Sequence, residues 1–209
     1  MIFSDKSFKE GRSLATIFSL KEWRTRATAG VGGIAAIIAS WGIGLFEERD
    51  QRPPPTLSVG HPIPAGEWSL RFERVIRSDR LPDGTMVSRS GREAIILYVQ
   101  ATNRTTRSSN SLLQAVALAT PVKGVDARPT AYLMRDHAIM TDLQPGLPEE
   151  VALVWTYPAG QRIASPLRFD VMASNFKPQD NLYAQPLWTD THKIGVVDLP
   201  LQTAQGGGL

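Results

Sequence analysis

Hydrophobic and polar positions fall into three regimes along the chain. Residues 28–46, TAGVGGIAAIIASWGIGLF, carry no charge. At about 1.5 Å per residue they would form a helix of roughly 28 Å, close to the thickness of a bilayer's hydrocarbon layer, so the stretch predicts a single transmembrane helix. Residues 47–66 are charged and then proline-rich through Pro53-Pro54-Pro55, which predicts an extended, semi-rigid spacer.

Over 67–200 the pattern changes to short runs with a period of two. Trp68, Leu70 and Phe72 alternate with Ser69 and Arg71. Val151, Leu153, Trp155 and Tyr157 alternate before Pro158, and Leu167, Phe169 and Val171 alternate with Arg168 and Asp170. Each run predicts a strand with one buried face. Residues 94–103, AIILYVQATN, are nearly continuous in their apolar part and rich in β-branched and aromatic side chains, as a central strand buried on both faces would be. Leu81-Pro82-Asp83-Gly84 and Gln144-Pro145-Gly146 carry turn chemistry, and 103–110 is a polar loop. Residues 112–119 suit a strand or a helix, and 182–188 and 194–199 are weaker apolar runs. About seven or eight short strands with no amphipathic helix among them predict an all-β fold, an antiparallel β-sandwich preceded by one N-terminal transmembrane α-helix. Residues 201–209, ending in Gly206-Gly207-Gly208, read as a flexible tail.

The succession Val99-x-Ala101-x-Asn103, Leu143-x-Pro145-Gly146, Trp155-x-Tyr157-Pro158 and Leu167-x-Phe169-x-Val171 resembles bacterial immunoglobulin-like domains held outside the cytoplasmic membrane by a lipid or a single helix. The resemblance covers about residues 67 to 175. It implies an immunoglobulin-like sandwich and an extracytoplasmic place, and no active residues. Members often carry a lipid-modified cysteine; this chain has no cysteine, so the 28–46 helix would replace that anchor.

Charge adds an orientation. Lys6, Lys9, Arg12, Lys21, Arg24 and Arg26 precede the apolar stretch, whereas the twenty residues after Phe46 contain only Arg49 and Arg52. By the excess of Lys and Arg on the cytoplasmic side, 1–27 is expected in the cytoplasm of a bacterium and the sandwich in the periplasm or outside the cell. Ser19 and Glu22 have capping-box spacing, and Trp23, Arg24 and Arg26 suit the headgroup layer as interfacial anchors. Gly32, Ala36, Ser40 and Gly44 recur every fourth residue. Such a row lets helix backbones approach closely, which makes other transmembrane subunits the expected partners alongside membrane lipids.

The pI near 9.4 comes with a net charge of only +3. The basic residues are scattered and no Lys/Arg run is interleaved with aromatics, so nucleic acid is not an expected partner. No pair among His61, His137 and His192 has metal-ligand spacing. No serine stands in a Gly-x-Ser-x-Gly elbow that Asp136-His137 could serve. The pairs Glu149-Glu150 and Asp79 with Asp83 read as solvated carboxylates in turns, and no glycine-rich loop precedes a helix that could hold a phosphate. The expectation is therefore a non-catalytic chain without cofactor or metal. It would be a single-pass subunit packing by its helix into a larger membrane complex and bracing it. The alternative is a tethered binding module for a soluble ligand, peptide or glycan, with Arg104, Arg107, Asn110, Tyr183 and Trp188 as loop contacts.

Overall fold

The computed structural model describes residues 53–180 and 184–204. Two β-sheets pack face to face. The larger contains β1 (Ile63–Ala65), β2 (Trp68–Ser78), β3 (Arg92–Asn103), β5 (Thr130–Leu133), β6 (Ala138–Ile139), β7 (Pro148–Pro158) and β10 (Leu201–Thr203). Its order is β1-β2-β3-β7-β5-β6, with β10 sharing β1's edge of β2. The smaller sheet has the order β4-β8-β9, formed by β4 (Val116–Leu118), β8 (Leu167–Lys177) and β9 (Leu187–Leu199). All named pairings are antiparallel except that of β10 with β2.

The period-two reading carries directly into the core. Leu70, Phe72, Ile95, Leu97, Val99, Leu153, Trp155, Phe169 and Val171 belong to one cluster between the sheets. Trp155 and Phe169 meet across it with ring centroids 5.8 Å apart. Burying a side chain of this size fully stabilises the fold by about 1.5–3 kcal/mol. In β2 the alternation changes phase after Phe72, because Glu73 is an extra residue in the ladder: Phe72 pairs with Val99 and Arg74 with Tyr98. Val75 then takes the inward place, and the bulge turns the rest of the strand without losing the core face.

β3 is buried on both faces, as its composition predicts. Ile95, Leu97 and Val99 point to the intersheet core. Ala94, Ile96 and Tyr98 form a second cluster with Tyr132, Ala152, Val154 and Val87, the last from a short 3-10 turn, Val87–Ser90. The connection between β2 and β3 thus folds over the outer face, and the predicted turn within it closes with Gly84 N–H donating to Leu81 O at 2.9 Å.

Five readings need correction. The spacer ends earlier than residue 66: Thr56 bridges Val196 in parallel, and Ile63–Ala65 is β1. The tail begins later than 201, since Leu201–Thr203 is β10. Residues 112–119 are both alternatives in succession, one helical turn α1 (Leu112–Ala115) followed by β4. The runs 182–188 and 194–199 do not make two strands; Leu187–Leu199 is one strand whose polar middle, Thr189 to Lys193, lies beyond the core. Glu149 and Glu150 lie on β7 rather than in a turn, with Glu149 2.8 Å from Arg135 and Glu150 3.7 Å from Arg74.

The 28–46 stretch lies outside the described residues, and so do Trp23, Arg24, Arg26, Gly32, Ala36, Ser40, Gly44 and Tyr183. Among the described residues no helix is long and apolar enough to cross a membrane.

Candidate binding site

The segment after β3 determines the shape of one end of the sandwich, and a single side chain organises it. Asn103 is fully buried. Its amide donates to Arg107 O at 2.8 Å and Leu143 O at 2.9 Å, while its Oδ1 accepts from Thr105 N–H at 2.9 Å and lies 2.8 Å from the Thr105 hydroxyl. Its carbonyl accepts from Gly146 N–H at 2.8 Å. A buried amide with every donor and acceptor engaged holds a loop in one conformation. The sequence elements ending in Asn103 and running through Leu143-Gln144-Pro145-Gly146 are thereby joined in space, and Gln144 Oε1 accepts from the Ser108 hydroxyl at 3.0 Å.

A second network fixes the base of the loop. Ser111 Oγ accepts from Trp68 Nε1 at 2.9 Å and from the Ser109 hydroxyl at 3.0 Å, and it donates to Glu67 Oε1. Arg104 N–H donates to Glu67 O at 2.8 Å. Trp68 begins β2 and Glu67 immediately precedes it, so the loop is tied to the sheet's edge at both of its ends.

Facing this loop is the end of the β8–β9 hairpin. Gly66, in the turn between β1 and β2, has φ +69°, and a Cβ there would lie 2.4 Å from Ser174 O. Only glycine allows the hairpin to pass so close. Beyond that level the hairpin continues through Asn175, Phe176 and Lys177, paired with Thr189, Trp188 and Leu187. Phe176 and Trp188 pack in a tilted pair with centroids 5.1 Å apart and planes inclined by 52°.

Between loop and hairpin lies a cleft of about 640 Å³, within the range of small-molecule sites. Arg104, Arg107, Phe176, Leu187 and Trp188 are among the residues lining it, with hydroxyls from Thr105, Ser108, Ser109 and Ser111. Three of the five sequence-predicted loop contacts, Arg104, Arg107 and Trp188, therefore share one cavity. Asn110 is exposed but does not line it, and Tyr183 is outside the described residues. Sequence reasoning missed Phe176, whose only signal is an aromatic placed after the alternating run ends. It also missed Ser111 and Glu67, polar residues with no pattern to mark them. Arg104 and Arg107 form no ion pair among the described residues, so both guanidinium groups are available to an anion. Two guanidiniums, several hydroxyls and an aromatic pair can hold a carboxylate or phosphate and stack on an apolar group.

The opposite end also concentrates charge, but there it is closed on itself. Arg77 Nη2 lies 2.6 Å from Glu93 Oε2, and the Tyr157 hydroxyl donates to the same oxygen at 2.8 Å. The Arg77 hydrogen bond holds the Glu93 carboxyl below its usual range, and burial pushes the Tyr157 phenol well above its own. Among the described residues no group of three or more His, Asp or Glu could hold a metal ion. His61, His137 and His192 sit on separate elements: the connection before β1, the β5–β6 turn and β9.

No protein-family model matches the chain, and no curated protein matches it. Among solved structures it is similar to an uncharacterised β-sandwich protein from Clostridium difficile 630, with 9% sequence identity and a TM-score of 0.44, over 71% of this chain and 96% of that one.

Proposed function

We propose that this chain is a non-catalytic, membrane-tethered binding module whose sandwich takes the anionic group of a ligand into the cleft between the 104–111 loop and the β8–β9 hairpin. The observation that carries the reading is the meeting in one cavity of Arg104 and Arg107, on a loop that Asn103 and Ser111 hold, with Phe176 and Trp188 of the hairpin. Rigid loops at one end of a sandwich bind without a large ordering cost. The tether is residues 28–46 with the N-terminus in the cytoplasm, which places the sandwich on the outer side of a bacterial inner membrane.

The strand order supports an immunoglobulin-like assignment. β2-β3-β7-β5 faces β4-β8-β9, which corresponds to the order A-B-E-D against C-F-G of the constant-type sandwich. The loop and hairpin at the cleft are then the B–C and F–G connections, two of the positions used for recognition in variable domains.

The test titrates the full chain, held in zwitterionic nanodiscs, with an oligoglutamate peptide, an oligogalacturonate and glycerol 3-phosphate. At least one should bind, and the double variant Arg104→Ala/Arg107→Ala should weaken it about tenfold or more, since charge-assisted hydrogen bonds are lost. Equal binding by the double variant would remove the cleft from consideration. The Gly32-Ala36-Ser40-Gly44 row supports a second role, packing among the transmembrane helices of a larger complex. Replacing Ala36 and Ser40 by leucine should then leave insertion intact and weaken co-purification of partner subunits in mild detergent.

A further inference from the structure

Three features of the sandwich lie at the same end. The first is the cleft. The second is an exposed apolar group on the hairpin: Phe176 is 53% and Leu187 44% exposed, beside the half-buried Trp188. The third is the point where the chain joins the fold. Thr56 pairs with Val196 in parallel, Val196 N–H donates to Pro55 O at 2.9 Å, and Leu57 N–H donates to Val196 O at 2.8 Å. Because the pairing is parallel, Pro55 lies on the side of Thr56 toward which β9 begins, the hairpin end. Gly195 lets this segment lie flat: a Cβ there would be 2.7 Å from Pro55 O.

Lengths turn this direction into a prediction. From Gly195 back to Leu187, β9 extends about 25 Å at roughly 3.3 Å per residue. From Pro55 back to Phe46, the end of the predicted membrane helix, the chain spans at most about 30 Å when fully extended. The maximum length of that connection and the length of the projecting hairpin are therefore comparable.

We infer that this end of the sandwich docks on the anionic surface of the bilayer: Phe176, Leu187 and Trp188 enter the interface, and Arg104 and Arg107 engage lipid phosphates. The inference rests on the tethered-module reading and names the anion that the cleft takes. Aromatic residues favour the headgroup level, where an apolar ring and water are both within reach, and basic residues near an anionic surface add to the attraction. The 104–111 loop has no acidic residue, and Lys177 adds a positive charge at the hairpin. Of the carboxylates at this end, Glu67 is engaged with Ser111, Glu149 and Asp136 are paired with Arg135, Asp142 adjoins the Leu143 that pairs with Ser109, and Asp180 and Asp190 lie on the hairpin.

The absence of cysteine permits a clean test on the full chain. A single cysteine replaces Leu187, or Lys177 as a second site, and carries an environment-sensitive dye. Ala159→Cys, exposed at the opposite end, is the control. The labelled chains are reconstituted in nanodiscs of phosphatidylcholine alone or with about a third phosphatidylglycerol, and insertion is read from the emission shift and from quenching by spin-labelled lipids. The expected result is insertion at 187 and 177 but not at 159, stronger with phosphatidylglycerol. In the Arg104→Gln/Arg107→Gln background the ratio of docked to free should fall roughly thirtyfold. A dye at 187 and 177 that stays in water in both lipid mixtures overturns the docking. If the double arginine variant still loses the soluble anions in that case, the cleft stands and its ligand is soluble. Insertion that ignores both lipid charge and the arginines overturns the phosphate partner, and insertion at 159 as well overturns the end-on orientation.

Discussion

Arg77, Arg92 and Arg168 at one end of the sandwich differ from Arg104 and Arg107 at the other. At one end Arg77 meets Glu93 and Tyr157, Arg92 lies 2.8 Å from Asp126, and Arg168 lies 2.8 Å from Asp198. At the other, Arg104 and Arg107 have no carboxylate partner among the described residues, although hydrogen bonds from Asn103 and to Glu67 hold the backbone that carries them. A fold that needed these arginines for its own stability would pair them. The difference shows that rigidity and charge satisfaction are separate properties, and that an end which has the first without the second is suited to binding.

The largest expected effect breaks the rigid half of that contrast. Asn103→Ala would leave the buried Leu143 carbonyl, the part-buried Arg107 carbonyl and the Thr105 N–H without their side-chain partner, costing about 3 kcal/mol. Denaturant unfolding should report a lower midpoint with an unchanged slope, and soluble-anion binding should weaken in parallel.

Next comes Gly66→Ala, which imposes a strained backbone and a Cβ against Ser174. The loss should be about 2 kcal/mol. Because the hairpin must shift to relieve the contact, the emission of a dye at position 187 should change even in the folded protein.

At the closed end, Glu93→Gln should cost about 1 kcal/mol near neutral pH. The sign with pH follows from the lowered Glu93 value. The carboxylate stabilises the fold above its ordinary value of 4.5, and that contribution disappears as the pH falls through the lower folded-state value. The wild type should therefore lose stability below about pH 4.5, and Glu93→Gln should flatten part of that fall in thermal unfolding followed by circular dichroism.

Smallest of all should be the stability change in Arg104→Ala/Arg107→Ala, within about 0.5 kcal/mol of wild type, as for exposed side chains without partners. A loss as large as that of Glu93→Gln would mean that the two ends are alike after all.

Much of the sandwich was legible because one-sided burial leaves a period of two, and the both-sided burial of β3 leaves an unbroken apolar run. β1, β5 and β6 were not, since strands of two to four residues are too short to show a period. The bulge at Glu73 shifted the phase of β2 and hid its second half. The polar stretch of β9 is a strand only because β8 pairs with it, and no hydrophobic signal marks that.

The candidate site divides in the same way. The polarity of 104–110 and the aromatic at 188 could be read directly, because a polar run and a tryptophan among polar and turn residues stand out in composition. That Arg104, Arg107, Phe176 and Trp188 share one cavity could not, because they lie on segments separated by the whole of the second sheet's construction. Sequence alone determined the strand type, the turns and the apolar stretch at 28–46, all of which depend on neighbours within a few residues. Only the tertiary structure decided which loops meet, which arginines remain unpaired and from which end the chain reaches the fold. Those depend on strand order and register, which arise from packing two faces against each other.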